Sequence, residues 1–273
     1  MAGDMTQTIR IATWNINSLR LRLGLLGRLA SELEPDVICL QETKVPDELF
    51  PLEAPATMGY PHFAYRGMKG YNGVAIFSKL PLVRLEDPPD WCGKGDCRHL
   101  AVRLEAPGGG IELHDFYVPA GGDVPDREAN VKYGHKLDFV SEATLYFAGR
   151  DELKRTVLVG DLNIAPLEHD VWSHKQLLDV VSHTPAETEG LTAWMATRFH
   201  DAMRHFVPAE EKLYTWWSYR NKDWKVANRG RRLDHVWVTP DLKPALKGLV
   251  VHQEARDWEK GSDHVPVCVD IAV

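Results

Sequence analysis

The feature that most constrains this chain is a series of short apolar segments, each ending in polar residues suited to holding a metal ion or a phosphate group. Residues 156–159, TVLV, form a β-branched run typical of a buried strand. Asp161 and Asn163 follow with one leucine between them, and alternation along a strand places both on the same side. An Asx turn closing the strand accounts for the same residues, so the other segments must decide between turn and site.

Two earlier segments end in the same way. Residues 9–14 are followed by Asn15, and residues 36–40 are followed by Glu42 and Lys44. Asn15 taken alone fits a turn, and Glu42 with Lys44 fits a local ion pair on a loop. Glu42 is also the kind of ligand that a hard divalent cation prefers, with Lys44 placed to hold an anion beside it.

Three further predicted strands carry a reactive polar group at one end. Tyr117 closes residues 111–118, which form a predicted hairpin with residues 98–104; an aromatic core residue with an exposed hydroxyl is the simpler explanation for it. Asp234 opens the strand at 236–238, where we expect it on the rim or partly buried. Asp263 and His264 precede the last strand and offer a metal ligand or orienting group beside a general acid or base.

Helical periodicity separates these strands. We predict helices at residues 19–33, with Ser18 as the N-cap, at 126–147 and at 171–182. At 273 residues the chain has the length of one large α/β domain or two small ones. No repeat, low-complexity tract or linker divides it, so we expect a disordered lead-in at residues 1–8 and a single domain at residues 9–273.

The composition is that of an ordinary globular protein. No apolar run is long enough to cross a bilayer, and the first residues lack the apolar core of a signal peptide. Four cysteines without such a signal suggest a reducing compartment. We therefore expect a cytoplasmic monomer with no membrane partner.

Charge alone does not identify a nucleic-acid binder. The net charge is −7, from 32 Lys and Arg against 39 Asp and Glu, which counts against a protein that simply coats nucleic acid. Residues 213–219, LYTWWSY, nevertheless place aromatic rings just before a basic stretch that Asp223 alone interrupts. Base stacking with phosphate contact needs this combination, although a tryptophan-anchored loop with a solvated basic face has the same sequence.

Together the polar residues point to hydrolysis of a phosphodiester. The chain has no serine or cysteine in a nucleophile motif, no P-loop and no dinucleotide-binding glycines. Carboxylates for a divalent cation, a histidine with an aspartate partner, and neutral donors suit metal- or base-activated water and a transition state that gathers negative charge. The set comprises Asn15, Glu42, Tyr117, Asp161, Asn163, Asp234, Asp263 and His264.

These residues lie in motifs that resemble the exonuclease III family of abasic-site endonucleases, part of the endonuclease/exonuclease/phosphatase superfamily. In order, the motifs are TWNINS (13–18), LQETK (40–44), YNGVAIFSK (71–79), YVP (117–119), GDLN (160–163), RRLDHV (231–236) and GSDHVPV (261–267). The resemblance runs over nearly the whole chain. It implies an α/β fold, a four-layer α-β-β-α sandwich of two packed mixed sheets with helices outside, and an active site at one edge of the sandwich.

The resemblance also implies a role for each catalytic residue. Asp161 would orient or deprotonate the attacking water, and Asn163 and Tyr117 would contact the scissile phosphate. His264 would contact the phosphate or act as the general base while Asp234 sets its tautomer. Whether Asp161 or His264 takes the proton stays open at this point.

Metal and DNA ligands follow from the same resemblance. Glu42 is the expected main ligand of Mg²⁺, or of Mn²⁺ as a substitute, and either one or two ions would serve such a site. The implied metal set is Asn15, Glu42, Asp161, Asn163, Asp263 and His264. The implied DNA-contacting residues are Arg20, Lys44, Tyr71, Trp216 and Arg231. Trp216 matches an aromatic wall of the pocket that receives the flipped-out abasic sugar.

The expected function is therefore that of an exodeoxyribonuclease III or DNA-(apurinic or apyrimidinic site) endonuclease. Such an enzyme acts in base excision repair on double-stranded DNA with abasic sites or blocked 3′ ends. It cuts 5′ to the abasic site and leaves a 3′-hydroxyl, with 3′-phosphodiesterase or 3′→5′ exonuclease activity as well. The alternatives are another phosphoesterase of the superfamily, a 3′-end-specific exonuclease with little abasic activity, and a DNA-binding protein that has lost catalysis.

Two departures from the family pattern bear on the balance of these activities. Ala120 follows the YVP motif where members often carry Asn or Gln, and the acidic Asp123 lies in the same loop. Arg231 stands where some relatives have a tryptophan that lines the sugar pocket.

Overall fold

The computed structural model describes residues 7–86, 89–221 and 223–273. Its strands in chain order are β1 (Thr8–Asn15), β2 (Val37–Gln41), β3 (His62–Arg66), β4 (Val74–Ser78), β5 (Leu82–Arg84), β6 (His99–Leu104), β7 (Ile111–Tyr117), β8 (Thr156–Asp161), β9 (His200–Asp201), β10 (Trp216–Trp217), β11 (Gly230–Arg231), β12 (Asp234–Val238), β13 (Leu246–Val251) and β14 (Val267–Ala272). Its α-helices are α1 (Leu23–Leu33), α2 (Glu53–Thr57), α3 (Val131–Ala148), α4 (His174–Leu177), α5 (Pro185–Arg198), α6 (Ala202–Phe206) and α7 (Trp224–Ala227).

Two six-stranded sheets form the centre of the fold, and β10 and β11 form a separate two-stranded ribbon. The first sheet has the order β13-β14-β1-β2-β4-β3, and the second has the order β5-β6-β7-β8-β12-β9. Both are mixed, because β1 with β2 and β7 with β8 run parallel while the neighbouring pairs are antiparallel. The predicted hairpin of β6 and β7 is confirmed.

Alternation along the strands gives each sheet two apolar faces. One face of each sheet packs against the other sheet through residues such as Ile11, Val159 and Val236. The outer face of the first sheet packs against α1, and the outer face of the second packs against α3 and α5. The predicted four-layer arrangement is confirmed.

The predicted helices are shorter than their apolar patterns. α1 begins at Leu23, not after Ser18, because Ser18 has a φ of 88° and its backbone N–H donates to Glu42. α3 begins at Val131, where Asn130 supplies the side-chain cap. The helix predicted at residues 171–182 is wrong apart from α4, because Val171 forms a β-bridge with Arg231 instead.

The beginning of the chain is only partly covered. The predicted lead-in at residues 1–8 lies mostly outside the described residues, and Thr8 is already paired with Ala272 in the first sheet. Within the described ranges, no helix combines the length and apolar character needed to cross a membrane.

Candidate active site

The second sheet presents three reactive groups at one end of its inner face. The inner positions of β8 and β12 are valines that face the first sheet, and two-residue alternation therefore turns Asp161 and Asp234 inward as well. Strand register brings Asp161 opposite Tyr117 of β7 on one side and opposite Asp234 of β12 on the other. A phenol and two carboxylates thus point toward the first sheet.

The first sheet contributes an amide and a carboxylate to the same site. Asn15 ends β1, and Glu42 directly follows β2 with a φ of 52°. The Nδ2 of Asn15 donates to Oε1 of Glu42 at 2.9 Å and to Oδ2 of Asp161 at 2.8 Å. Its Oδ1 accepts the backbone N–H of Asn17 at 3.1 Å. One neutral side chain therefore holds together carboxylates that belong to different sheets.

Glu42 is held as an anion. Its Oε1 also accepts the hydroxyl of Tyr117 at 2.8 Å, and its Oε2 lies 2.7 Å from Nζ of Lys44. Burial raises the pKa of Glu42, but the Lys44 charge and the hydrogen bonds from Asn15, Lys44 and Tyr117 outweigh burial and hold the pKa below its ordinary value.

His264 lies between two carboxylates. Its Nδ1 is 2.8 Å from Oδ2 of Asp234, and its Nε2 is 3.6 Å from Oδ2 of Asp161. Burial lowers the pKa of His264, but the two carboxylates outweigh burial and raise it above its ordinary value. Burial raises the pKa of Asp161, and the opposing charge of His264 only partly offsets this. The imidazole is therefore cationic at neutral pH, next to a carboxyl that holds a proton more tightly than usual.

Asp234 is more deeply placed than its position at the start of a strand suggested. It is fully buried, not on the rim or partly buried. The strand β12 lies inside the sheet between β8 and β9, and Thr215 covers the strand start by accepting the backbone N–H of Asp234 at 3.1 Å.

Asn163 connects the two loops that follow β7 and β8. Its backbone N–H donates to Oδ1 of Asp161 at 2.9 Å. Its Nδ2 donates to the carbonyl of Val118 at 2.9 Å and to Oδ2 of Asp161 at 3.0 Å. Asn163 thereby fixes both oxygens of Asp161.

Comparison with known proteins decides the family. A family model described as the endonuclease/exonuclease/phosphatase family matches residues 12–264. The chain belongs to this endonuclease/exonuclease/phosphatase family. The resemblance predicted from the motifs is confirmed, and the protein is an enzyme of this family.

Its relatives include nucleases of similar length. Exodeoxyribonuclease III of Haemophilus influenzae is 30% identical over 267 residues, which cover 95% of this chain and 98% of the relative. Among solved structures, an AP endonuclease from Archaeoglobus fulgidus has a TM-score of 0.87 at 30% identity and covers 97% of this chain and 100% of its own. A 3′ phosphatase from Neisseria bound to a product DNA hairpin has a TM-score of 0.87 at 29% identity, with the same coverage of both chains.

Sequence reasoning missed one buried ion pair behind this endonuclease/exonuclease/phosphatase site. Lys136 of α3 and Glu187 of α5 are both fully buried, with Nζ and Oε1 2.5 Å apart. The Lys136 ammonium also donates to the carbonyl of Asn163 at 2.8 Å. The spacing of Thr184 and Glu187 is a capping-box signature, but no local pattern marks Lys136 as the partner.

A third missed residue, Asn17, links the site to its rim. Its Oδ1 accepts Nζ of Lys44 at 2.6 Å, and its Nδ2 donates to Oδ1 of Asp263 at 3.3 Å. The other oxygen of Asp263 accepts the indole N–H of Trp216 at 2.9 Å. The structure thus places Asp263 at the edge of the polar network, with Asn17 between it and the residues around Glu42.

The remaining predicted DNA contacts lie outside the polar network. Arg20 and Tyr71 are exposed, and among the described residues neither takes part in the hydrogen bonds of the site. Arg231 lies with its guanidinium 5.4 Å from the centre of the Trp216 ring, beside a pocket of about 520 Å³.

The donor set fits a hard divalent cation. Ligand atoms of Asp161, Asp234 and His264 lie within 4.8 Å of one another, but a protonated imidazole bonded to Asp234 has no free nitrogen lone pair for a metal. Glu42 offers an ionised carboxylate next to Asp161, and oxygen ligands of this kind suit Mg²⁺ or Mn²⁺. Glu42 with Asp161 is therefore the better candidate for the metal-binding centre.

Proposed function

We propose that this protein is a Mg²⁺-dependent phosphodiesterase of DNA repair that cuts the strand 5′ to an abasic site and leaves a 3′-hydroxyl. It would also remove blocking groups or nucleotides from 3′ ends of double-stranded DNA. The observation that carries the proposal is the bridge from Asn15 to Glu42 and Asp161, beside the pair of His264 and Asp234. The relatives named as exodeoxyribonuclease III and AP endonuclease support it.

The metal would be held by Glu42 with Asp161 and Asn15, and Asn163 and Asp263 belong to the same predicted set. His264 was also predicted in that set, but as a protonated imidazole it would not be a ligand. Mg²⁺, or Mn²⁺ in its place, supplies positive charge that stabilises the extra negative charge of a pentacoordinate phosphorus transition state.

Three side chains have separate proposed roles in the reaction. Asp161 accepts a proton from the attacking water, because burial raises the pKa of this carboxylate above its ordinary value. His264, kept protonated by Asp234, donates toward a non-bridging phosphate oxygen. Tyr117 adds a hydroxyl donor beside Glu42. This division favours Asp161 over His264 as the base.

DNA would lie across the rim of the site. Arg20, Lys44, Tyr71, Trp216 and Arg231 are the proposed DNA-contacting residues. Residues 9–273 would act as one domain in a cytoplasmic monomer that binds duplex DNA with abasic sites or blocked 3′ ends.

The test uses a labelled duplex with one tetrahydrofuran abasic analogue, incubated with Mg²⁺ or with EDTA. We expect a single metal-dependent cut 5′ to the analogue, and loss of cutting in Glu42→Gln and Asp161→Asn variants with unchanged circular dichroism. Near-normal rates in either variant would overturn the assigned roles. Absence of any cut by the wild type would overturn the function.

A second candidate is an enzyme restricted to 3′ ends. Two observations favour it, namely the similarity to a Neisseria 3′ phosphatase and the Arg231 side chain beside Trp216. In the same assay, shortening of the labelled strand from its 3′ end without an internal cut identifies this function.

A further inference from the structure

A pocket of about 520 Å³ adjoins the candidate active site. Trp216 is shared by both, because its indole N–H donates to Asp263 at 2.9 Å and its backbone forms a β-bridge with His264. Residues with side chains that bear on ligand chemistry are Asp123, Trp172, Trp216, Arg220, Arg229 and Arg231. The pocket and the place where the scissile phosphate would lie therefore share Trp216 as a wall.

Arg231 is rigidly held in the wall of this pocket. Its Nη1 donates to the carbonyl of Val181 at 2.9 Å and to Oγ of Ser182 at 2.7 Å. Its guanidinium lies over the Trp216 ring, and its Nε is buried without a hydrogen-bond partner in the described part of the chain. A guanidinium fixed in this way loses little further entropy when it binds a ligand.

No carboxylate neutralises Arg231 among the described residues. The acid that acts on it electrostatically is Glu187, yet Glu187 is already paired with Lys136 at 2.5 Å and accepts hydrogen bonds from Ser182 and Thr184. The buried Lys136 and the half-buried Arg231 thus share a single carboxylate. Burying a charge without a counter-ion is unfavourable, so an anion that enters the pocket gains both Coulombic attraction and hydrogen bonds to Arg231.

The rim of the pocket adds more positive charge. Arg229 lies over the Trp172 ring at 4.7 Å from its centre, and Arg220 is exposed. In the described ranges neither forms an ion pair with a carboxylate, and the one acid of the lining is the exposed Asp123. Three guanidinium groups around one acid are a local excess in a chain whose net charge is −7.

We propose that this pocket binds a second phosphate group of the DNA strand, next to the phosphate that is cut, and that Arg231 is its principal contact. The inference rests on the proposed function, because it places the scissile phosphate at His264 on the other side of Trp216. Arg231 is then a residue that selects substrates by the charge of the neighbouring linkage, and Arg220 and Arg229 attract the strand to the pocket.

The decisive experiment is a cycle that combines a protein change with a chemical change in the DNA. Duplexes carry one tetrahydrofuran abasic analogue and either native phosphates or a neutral methylphosphonate at one of the two linkages that flank the scissile linkage, namely the linkage 3′ of the analogue or the linkage one nucleotide further to the 5′ side. Fluorescence anisotropy in EDTA measures their affinity for the wild type, for Arg231→Met and for a control, Arg103→Met. Arg103 is exposed, and its position on β6 lies opposite Glu112, at the end of β7 away from Tyr117.

We expect a methylphosphonate at one of the two linkages to weaken wild-type binding about tenfold, the loss of one charge-assisted contact. Arg231→Met should weaken binding of the native duplex by a similar factor and show no further loss on that methylphosphonate duplex. Its salt dependence should fall by about one unit of slope in a double-logarithmic plot. The control should retain the wild-type response to both changes.

If the methylphosphonate weakened binding of wild type and of Arg231→Met by the same factor at each linkage, the proposal would be overturned. The protein change and the DNA change would then act independently. If Arg231→Met fails to fold by circular dichroism, Arg229→Met serves as the second variant and must show coupling to the same linkage. A third arm adds inorganic phosphate at constant ionic strength and records thermal stability. An Arg231-dependent rise without coupling to either linkage would identify a free-anion site and would also overturn the proposal.

The binding measurement separates this inference from the proposed function. Coupling between Arg231 and one linkage, with no cleavage after Mg²⁺ is added, would leave the phosphate pocket standing and reject the nuclease activity. Cleavage in Mg²⁺ without coupling between Arg231 and either linkage would support the nuclease activity and reject the phosphate pocket.

Discussion

Neutral amides organise the charged side chains of the site. Asn15 bonds to Glu42 and Asp161 through one nitrogen, and Asn163 bonds twice to Asp161. An amide brings donors to neighbouring carboxylates without adding charge, so the carboxylates can approach each other and remain available to a cation. We therefore expect the proposed catalysis to depend on the identity of these residues as amides, and not only as polar groups.

Asn15→Asp tests this at nearly constant shape. It replaces the donating nitrogen with an oxygen that repels both Glu42 and Asp161, so we expect kcat to fall about 10²–10³-fold, as when a preorganised donor is lost. Cleavage of the tetrahydrofuran duplex under saturating DNA measures the effect. The matched control, Gln253→Glu, makes the same chemical change at an exposed position and should keep full activity; equal losses in the two variants would contradict the assigned role.

A further buried carboxyl, besides those of Asp161 and Asp234, lies beneath the site. Asp115 and Gln41 are fully buried between the sheets, and Nε2 of Gln41 donates to Oδ1 of Asp115 at 2.6 Å. Oδ2 of Asp115 and Oε1 of Gln41 have no partner among the described residues. Burial raises the pKa of Asp115 well above its ordinary value, and the Gln41 hydrogen bond opposes this only in part. A protonated Asp115 carries a hydroxyl donor in place of an unpaired acceptor oxygen.

Asp115 should make stability fall as pH rises. Below about pH 4 both the folded and unfolded forms hold the proton, and above it the unfolded chain releases the proton while the folded one keeps it. Each pH unit in this window costs about 1.4 kcal/mol until the folded pKa is passed. Asp115→Asn removes the effect. In guanidinium titrations, the unfolding free energy of this variant relative to that of the wild type should therefore increase from pH 5 to pH 8. A constant difference across that range would contradict a protonated Asp115.

Among the strands and helices, β8 has a position, Gly160, where the backbone leaves no room for a side chain. Gly160 has a φ of 138°, and a Cβ built on it would lie 1.9 Å from the carbonyl oxygen of Phe116 on β7. Both the φ and the contact exclude a side chain where the strand delivers Asp161 to the site. By contrast, Gly27 in α1 has no atom within 4 Å of such a Cβ.

Alanine substitutions at these two glycines should act in opposite directions. Gly160→Ala should lower the unfolding free energy by more than about 3 kcal/mol, because it adds backbone strain and forces two strands apart. Gly27→Ala should raise it by about 0.5–1 kcal/mol through helix propensity. Urea unfolding measures both changes, and a Gly160→Ala protein as stable as wild type would contradict the β7–β8 packing described above.

At the scale of the whole molecule, the two sheets meet at the candidate active site, and both contribute residues to it. Asn15 and Glu42 come from the first sheet, and Asp161, Asp234 and Tyr117 come from the second. A cation held between Glu42 and Asp161 would bind the folded arrangement and not the unfolded chain, and so would stabilise contact between the sheets.

Mg²⁺ should therefore raise the melting temperature. At about 100 times the dissociation constant the gain is about 2.7 kcal/mol, or roughly 5 °C for a chain of this size. Glu42→Gln should lose most of this rise, while Glu48→Gln at an exposed position should keep it. Differential scanning calorimetry with Mg²⁺ and with EDTA makes the measurement, and an undiminished rise in Glu42→Gln would exclude that residue as a metal ligand.

Prediction from the sequence succeeded where a signal is local. The strand ends at Asn15, Tyr117 and Asp161 carry their own signature of an apolar alternating run followed by a polar group. The helix predicted at residues 171–182 failed because a contact with Arg231, distant in sequence, overrides local propensity there. Lys136 and Glu187 were missed for the same reason, since each resembles an ordinary helix surface residue until the partner is known.

The order of residues was thus sufficient to predict the chemical groups at the strand ends, because alternation is a property of neighbouring positions. The motifs also resembled a known family, and that resemblance implied the family and its α/β sandwich. The depth of Asp234, the pairing of Asp115 with Gln41 and the lack of an unshared counter-ion for Arg231 among the described residues emerged from the folded chain. Burial and charge balance depend on groups that folding brings together from distant positions, and these set the protonation and the ligand preference of a site.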